Sequence, residues 1–178
     1  MSLIVEDGTG RSDAESYISV ADADTYHTKF TASAAWAGAG TADKETALRQ
    51  ATQYLDDEYR GRWKGYPVDD EQALAWPRLD VEDENGYVVD SDAVPEQVQR
   101  AAAEMALRAL SSGPNLLPDI VERGTVKSIR KKLGPMEKEV EYVGGGTIAV
   151  SGQTNTHFQK VYRMLIGLIR VGGRVERG

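Results

Sequence analysis

Apolar residues recur every three or four positions along some stretches of this chain and every second position along others. The clearest helical period follows Pro95, where Val98, Ala101, Ala102, Met105, Ala109 and Leu110 define one narrow, small-residue face. Pro95 fixes φ for a first turn and lacks only an N–H that would be unpaired there. Asp92 and Glu96 place negative charge at that end, and Gly113-Pro114 supplies a stop. Glu104 and Arg108, four residues apart, can pair across one turn. Alanines on a buried face let neighbouring helices approach closely, so this segment is read as the central helix of a bundle. Its expected lids are Leu74 and Trp76 in the run Gln72-Ala73-Leu74-Ala75-Trp76-Pro77-Arg78, with Trp76 held extended by the proline after it. Leu55, Trp76, Val98 and Met105 are the expected centre of the core.

Three further helices follow from the same period. Ser19 with Asp22 three residues on resembles a capping box with Asp in the Glu place, predicting a helix over 20–30 with Tyr26 and Phe30 as its buried pair. His27 beside them reads as a packed or solvated side chain rather than a ligand. Residues 31–40, rich in Ala, Gly and Ser around Trp36, predict a connecting loop anchored by one aromatic ring. A helix from about Ala42, capped by Thr41, carries the stripe Ala47, Leu48, Ala51, Tyr54, Leu55 and Tyr59, with Lys44, Glu45, Arg49, Asp56 and Asp57 outside. The consecutive acids Asp56, Asp57 and Glu58 point in different directions around that helix and read as a solvated face. A last helix is expected from 154 or 155 to 171. Its apolar face of Phe158, Val161, Tyr162, Leu165, Ile166, Leu168 and Ile169 is wider than a small bundle usually needs. That width suggests docking on another subunit, with burial in the chain's own core as the equally simple alternative.

Two-residue alternation marks a β-hairpin: Thr125 to Arg130, a turn at Gly134-Pro135, then Met136 to Tyr142. The first strand is basic, with Lys127, Arg130, Lys131 and Lys132, and Glu137, Glu139 and Glu141 answer it across the pair. A shorter hairpin is predicted where Val81 and residues 87–89 flank Asn85-Gly86, the preferred centre of a tight turn. Together these elements predict a mainly α fold: a small bundle of about four helices, an inserted β-hairpin, and a C-terminal docking helix and tail. One domain over 1–178 is expected, divided into a helical core (1–112), a hairpin and loop region (113–153), and the last helix and tail (154–178).

Composition narrows the chemistry. A chain of 178 residues should bury roughly 70% of the surface its unfolded form exposes, so a true core is within reach. There is no Cys, hence no disulfide framework and no thiolate zinc site, and the start lacks the pattern of a signal peptide. No apolar run approaches the roughly 18 residues of a spanning helix, and no membrane partner is expected. The net charge of −7 is uneven: residues 1–100 hold 21 acidic and 9 basic side chains, whereas 101–178 hold 7 and 12. Such asymmetry suggests surfaces that meet different partners.

The candidate sites are few. Asp7-Gly8-Thr9-Gly10 with Asp13 and Glu15 can be drawn around a Ca²⁺ ion, but the loop lacks the alternating acids of a calcium loop and reads as a turn. No metal site and no cofactor is therefore assigned. Gly144-Gly145-Gly146 lacks the Lys and Ser/Thr of a phosphate loop. The basic residues of Arg60-Gly61-Arg62-Trp63-Lys64-Gly65 can stack with nucleic-acid bases around Trp63, although a tryptophan packed under a turn is the plainer reading. For an enzyme the sequence offers only His27 and His157, no Gly-x-Ser-x-Gly and no paired acids, so no catalytic residue is assigned.

Leu-Ile-Val-Glu-Asp-Gly-Thr-Gly at 3–10, Ser16-Tyr17-Ile18-Ser19-Val20 followed by Ala-Asp, residues 47–59, 72–78 and 94–110 together resemble a family of tailed-phage and prophage proteins. That family carries the label DnaT-like single-stranded DNA-binding protein, and its gene setting and helical fold are similar to phage head-completion, or head-to-tail adaptor, proteins. The resemblance implies a structural neck protein of the virion, made in the bacterial host cytoplasm. It implies a dodecameric ring of this chain, bound to the portal protein and to a tail-proximal neck or tail terminator protein. Double-stranded DNA would pass through without sequence readout. Under that reading Phe158, Val161, Tyr162, Leu165, Ile169, Arg170 and Arg174 are the portal or subunit docking residues, and Lys127, Arg130, Lys131 and Lys132 are candidate DNA-facing residues. The alternative is a single-stranded DNA-binding protein of phage or prophage replication. Against it stand a sequence pI near 4.9 and a basic strand without an aromatic residue, and an acidic channel wall suits sliding DNA. The adaptor is thus the function expected from the sequence.

Overall fold

The central helix is buried on most of its circumference. In a computed structural model, which describes residues 2–112, 116, 126–132, 137–142 and 158–170, α4 (Glu96–Ser112) packs against α1 (Val20–Phe30), α2 (Ala34–Gly38), α3 (Thr41–Glu58) and α5 (Gln159–Leu165). Val98, Ala101, Ala102, Ala103, Met105 and Ala106 are completely inaccessible. The narrow single face expected from spacing is therefore corrected: the alanines on the other faces admit helices too, because a methyl group lets a neighbour approach from any side. Pro95 stands just before the helix, and its carbonyl accepts from the Val98 and Gln99 N–H groups at 2.9 and 3.1 Å.

The helices before α4 follow the sequence closely, with three exceptions. α1 begins at Ser19, whose hydroxyl accepts from Asp22 N–H at 3.1 Å and donates to the Asp22 carboxylate at 2.6 Å, closing the predicted box. Tyr26 is buried, but Phe30 is 60% exposed and lies beneath the Arg100 guanidinium at 5.3 Å, so the expected buried pair is half right. Around Trp36 the predicted loop forms the short helix α2, whose ring is buried and whose indole N–H donates to Asp24 at 2.7 Å. α3 buries its whole predicted stripe, but the expected cap is corrected: Gly40 is the N-cap and Thr41 the first helical residue, with no side-chain cap bond.

The segment between α3 and α4 is irregular but heavily bonded. Every polar side chain of the Gln72 to Arg78 run holds backbone. Gln72 donates to the carbonyls of Leu74 and Pro77 at 2.6 and 3.2 Å, and Arg78 donates to those of Lys64, Ala75 and Gly65 at 2.7, 2.9 and 3.0 Å. The Trp76–Pro77 peptide is cis. Trp76 is fully buried, edge-on to Trp63 at 5.7 Å, in one core with Leu55, Val98 and Met105. Two short pairings accompany it. β1 (Tyr66–Pro67) lies antiparallel to β2 (Arg78–Leu79), and a Glu82–Val88 bridge closes the predicted Asn85-Gly86 turn. Gly65 sits at φ 62° where a Cβ would meet the Leu79 carbonyl at 2.0 Å, and Gly8 at φ 100° where one would meet the Asp92 carbonyl at 1.9 Å. Both approaches require glycine.

The N-terminal loop is closed by a carboxylate. Glu6, buried, accepts from the N–H groups of Gly8, Gly10 and Arg11 at 2.9, 3.0 and 2.9 Å. Asp7 bonds Thr9, and Asp13 bonds Arg11.

The chain divides into two compact units, residues 1–117 with 157–178, and residues 118–156. The second contains the predicted hairpin: β3 (Val126–Lys132) runs antiparallel to β4 (Glu137–Tyr142), with Arg130 opposite Glu139, Lys132 opposite Glu137 and Lys131 opposite Lys138. The Gly134-Pro135 turn, Gly144-Gly145-Gly146 and Arg174 lie outside the described residues. Among those residues no helix is long and apolar enough to cross a membrane.

Truncating Trp76 to alanine should lower unfolding stability by about 3–5 kcal/mol, the usual loss for a buried aromatic. Urea unfolding followed by far-UV circular dichroism measures this, and a loss below about 1 kcal/mol would contradict the packing described.

Candidate functional site

Two buried polar clusters and one partly exposed aromatic stripe stand out from the core. The first cluster centres on Glu104 of α4, almost completely buried. It accepts from the Tyr26 hydroxyl at 2.8 Å, from Thr31 at 3.3 Å and from Arg108 at 3.4 Å, and it is ion-paired with Lys160 of α5. Burial alone would push this carboxyl up, but the bonds from Lys160 and Tyr26 outweigh it and hold Glu104 below its usual range. His27 packs beside it, with Nε2 on the Ala103 carbonyl at 3.1 Å, and burial lowers its pKa. With all its partners fixed, this cluster joins α1, α4 and α5.

The second cluster corrects the reading of Asp56 as part of a solvated face. Its carboxylate accepts from the Tyr17 hydroxyl and, at 3.0 Å, from the Ala75 N–H. It thereby fastens the segment before Trp76 to α3. Burial is the main influence on Asp56 and raises its pKa to about 6, against the opposing effect of those two donors. Sequence spacing placed this residue on the outside of α3 correctly; the irregular segment then folded over it.

The stripe lies at the start of α5, beside Arg108 of α4 and Tyr54 of α3. Phe158 and Tyr162 are one turn apart, with the Tyr162 N–H donating to the Phe158 carbonyl at 2.9 Å, and both are half-buried. The Arg108 guanidinium lies 5.1 Å from the Phe158 ring, and Tyr54 meets that ring edge-on at 5.5 Å. Arg62 lies 5.3 Å from Tyr59 and 5.9 Å from Tyr162. Lys160 and Arg163 are on the same short helix, both exposed.

This geometry sorts the residues proposed from sequence. Val161, Leu165 and Ile169 are buried in the chain's own core, the equally simple alternative for the wide apolar face. The helix is also shorter than predicted at its C-terminal end. The chain turns at 166–168, and Ile169 bridges Trp63, with Lys64 N–H on the Leu168 carbonyl at 3.0 Å and Arg170 N–H on that of Arg62 at 2.6 Å. Trp63 is accordingly packed under its turn rather than offered to bases. Arg170 is exposed. Lys127, Arg130, Lys131 and Lys132 all fall on β3. Sequence reasoning missed Arg62 and Arg108 as partners of the α5 rings. The signal for them was the i, i+4 pair Phe158 and Tyr162 at one edge of an apolar face too wide for its core.

A family model described as "Putative DnaT-like ssDNA binding protein" matches residues 1–178. Searches of curated proteins and of solved structures return no match. The match corrects the function expected from sequence. Single-stranded DNA binding is what the family description names, and nothing supports the head-to-tail adaptor, a ring joined to portal and tail proteins, or passing double-stranded DNA.

Leu165→Ala should destabilise the chain by about 2–5 kcal/mol, as deletion of a fully buried leucine does. The Asp56 carboxyl adds a pH dependence of defined sign. Its folded pKa of about 6 lies above the reference value of 3.8, so the folded state binds the proton more tightly than the unfolded chain. Its contribution is most favourable below about pH 4 and declines as pH rises to about 6. The loss is on the order of 2–3 kcal/mol. Denaturant melts of wild type and Asp56→Asn across that window should show their stability difference changing by this amount; a constant difference would refute the assignment.

Proposed function

Because the chain belongs to the DnaT-like ssDNA binding protein family over its full length, we propose that it binds single-stranded DNA without sequence readout and does no covalent chemistry on it. Family membership carries this reading. Charge distribution supports it: the excess of acid lies in residues 1–100, whereas 101–178 hold 12 basic against 7 acidic side chains. Lys127, Arg130, Lys131 and Lys132 fall within the seven residues of β3, a density of cations that suits a phosphodiester chain.

The acidic body does not prevent this. At physiological ionic strength charges are screened over about 8 Å, so a phosphate on a cluster of cations responds to its immediate neighbours more than to the total of −7. The opposed acids Glu137 and Glu139 reduce the attraction of β3 and favour modest affinity.

The intact chain should bind a mixed-sequence single strand of about 16 nucleotides or more with micromolar affinity near 0.15 M salt. Replacing Lys127, Arg130, Lys131 and Lys132 together by glutamine should weaken binding. It should also flatten the plot of log K against log salt by about 0.7 for each phosphate that the strand no longer neutralises. Fluorescence anisotropy at several salt concentrations measures both, and absence of binding by the intact chain even at about 0.05 M salt would refute the function.

A further inference from the structure

We propose that the Phe158 and Tyr162 rings, flanked by Arg108 and Arg62, form a platform on which unpaired nucleic-acid bases stack. This rests on the single-stranded DNA reading and adds to it a site in the helical unit, separate in sequence from the basic strand.

A protein that holds single strands without reading sequence needs cations for the phosphates and flat π surfaces for the bases. β3 supplies cations but no aromatic residue. The α5 edge supplies both. Its two rings are spaced one turn apart along the helix, and neither is wholly consumed by the core, unlike Val161 and Leu165 between and beyond them at 0% exposure. They are also held from beneath. Tyr54, 5% exposed, meets Phe158 edge-on at 5.5 Å, and Tyr59, 3% exposed, backs the Arg62 guanidinium that reaches Tyr162. Rings fixed in this way lose little freedom when a base settles on them.

The Arg108 guanidinium lies over the Phe158 ring at 5.1 Å and that of Arg62 over the Tyr162 ring at 5.9 Å, cation–π contacts that keep the rings in place. The charge of Arg108 is shared with Glu104, whereas Arg62 also brings positive charge to the edge of the stripe. Arg163 adds to that charge, while the ion pair of Lys160 with Glu104 anchors the helix carrying both rings. Glu58 is the neighbouring acid, close enough to act on Tyr54 and Tyr59, and it limits how much phosphate the stripe can hold. The ligand that fits is therefore a short run of unpaired bases; in a duplex the base faces are already covered by their neighbours.

Leucine keeps apolar bulk but removes the π face, so the double variant Phe158→Leu/Tyr162→Leu is the central test, with its fold checked by thermal melting. Its affinity for an oligothymidylate, read by anisotropy, should fall about 5- to 100-fold relative to wild type, with the salt slope unchanged. The four-residue glutamine variant of β3 should instead lose salt slope. A 5-iodouracil oligonucleotide irradiated with the intact wild-type chain should crosslink to Phe158 or Tyr162, which requires no substitution. Wild-type affinity in the leucine variant, equal affinity for duplex and single strand, or crosslinks confined to 126–142 would each overturn the platform while leaving DNA binding in place. Failure of the intact chain to bind any oligonucleotide would overturn both readings.

Discussion

A helix can be surrounded by four others only if its side chains are short, and α4 meets that condition with Ala101, Ala102, Ala103 and Ala106 at full burial. The rest of the helical unit depends on this. Close approach leaves no room for water around the middle of α4, so the one acid there, Glu104, must be satisfied by protein. Tyr26 and the C-cap Thr31 of α1, Arg108 one turn on along α4, and Lys160 of α5 do so. The same buried carboxylate therefore fixes where α1 ends and how α5 lies. Removing one partner would strand charge in a dry interior, whereas the intact set is neutral enough to tolerate burial.

Much of this was legible in the sequence, and the failures share a cause. α1, α3 and α4, the Ser19 box and both hairpins follow from local periodicity and turn chemistry, which act over a few residues and are written directly in the order of side chains. What spacing could not show was which faces other segments would cover. Asp56 lies where the stripe of α3 predicts, yet the chain before Trp76 folds across it and burial lifts its pKa to about 6. Phe30 belongs to the apolar face of α1 but lies exposed under the Arg100 guanidinium of α4. The residues around Trp36 have loop composition, and it is the burial of that ring, with its N–H on Asp24, that accompanies a short helix there.

The functional expectation failed on a different ground. Total charge describes how a protein behaves at a distance, whereas a contact is decided by groups within a Debye length. Counting −7 over the whole chain made DNA binding look awkward and an acidic channel look natural. The wide face of 158–169 was likewise read as surplus for a partner. Most of it closes the chain's own core, with Val161, Leu165, Leu168 and Ile169 all below 3% exposure, and Phe158 and Tyr162 are what remains at its edge. Family membership brought single-stranded DNA forward, and the residual aromatic edge gives that reading a surface.

An acidic body with a small arginine–aromatic edge also has a consequence for what it can hold. Phosphates lying outside the cation clusters meet a surface dominated by Asp and Glu, so extra length of DNA gains little by charge alone. Affinity must then come from the few bases that reach the rings, and stacking is nearly blind to which base supplies the π face. A strand already paired cannot offer its faces without first unstacking, which costs free energy that modest phosphate attraction would not offset. Under the proposed function, weak overall attraction is the source of selectivity: a strongly basic protein would hold duplex and single strand alike, whereas this one would gain chiefly from bases that are free.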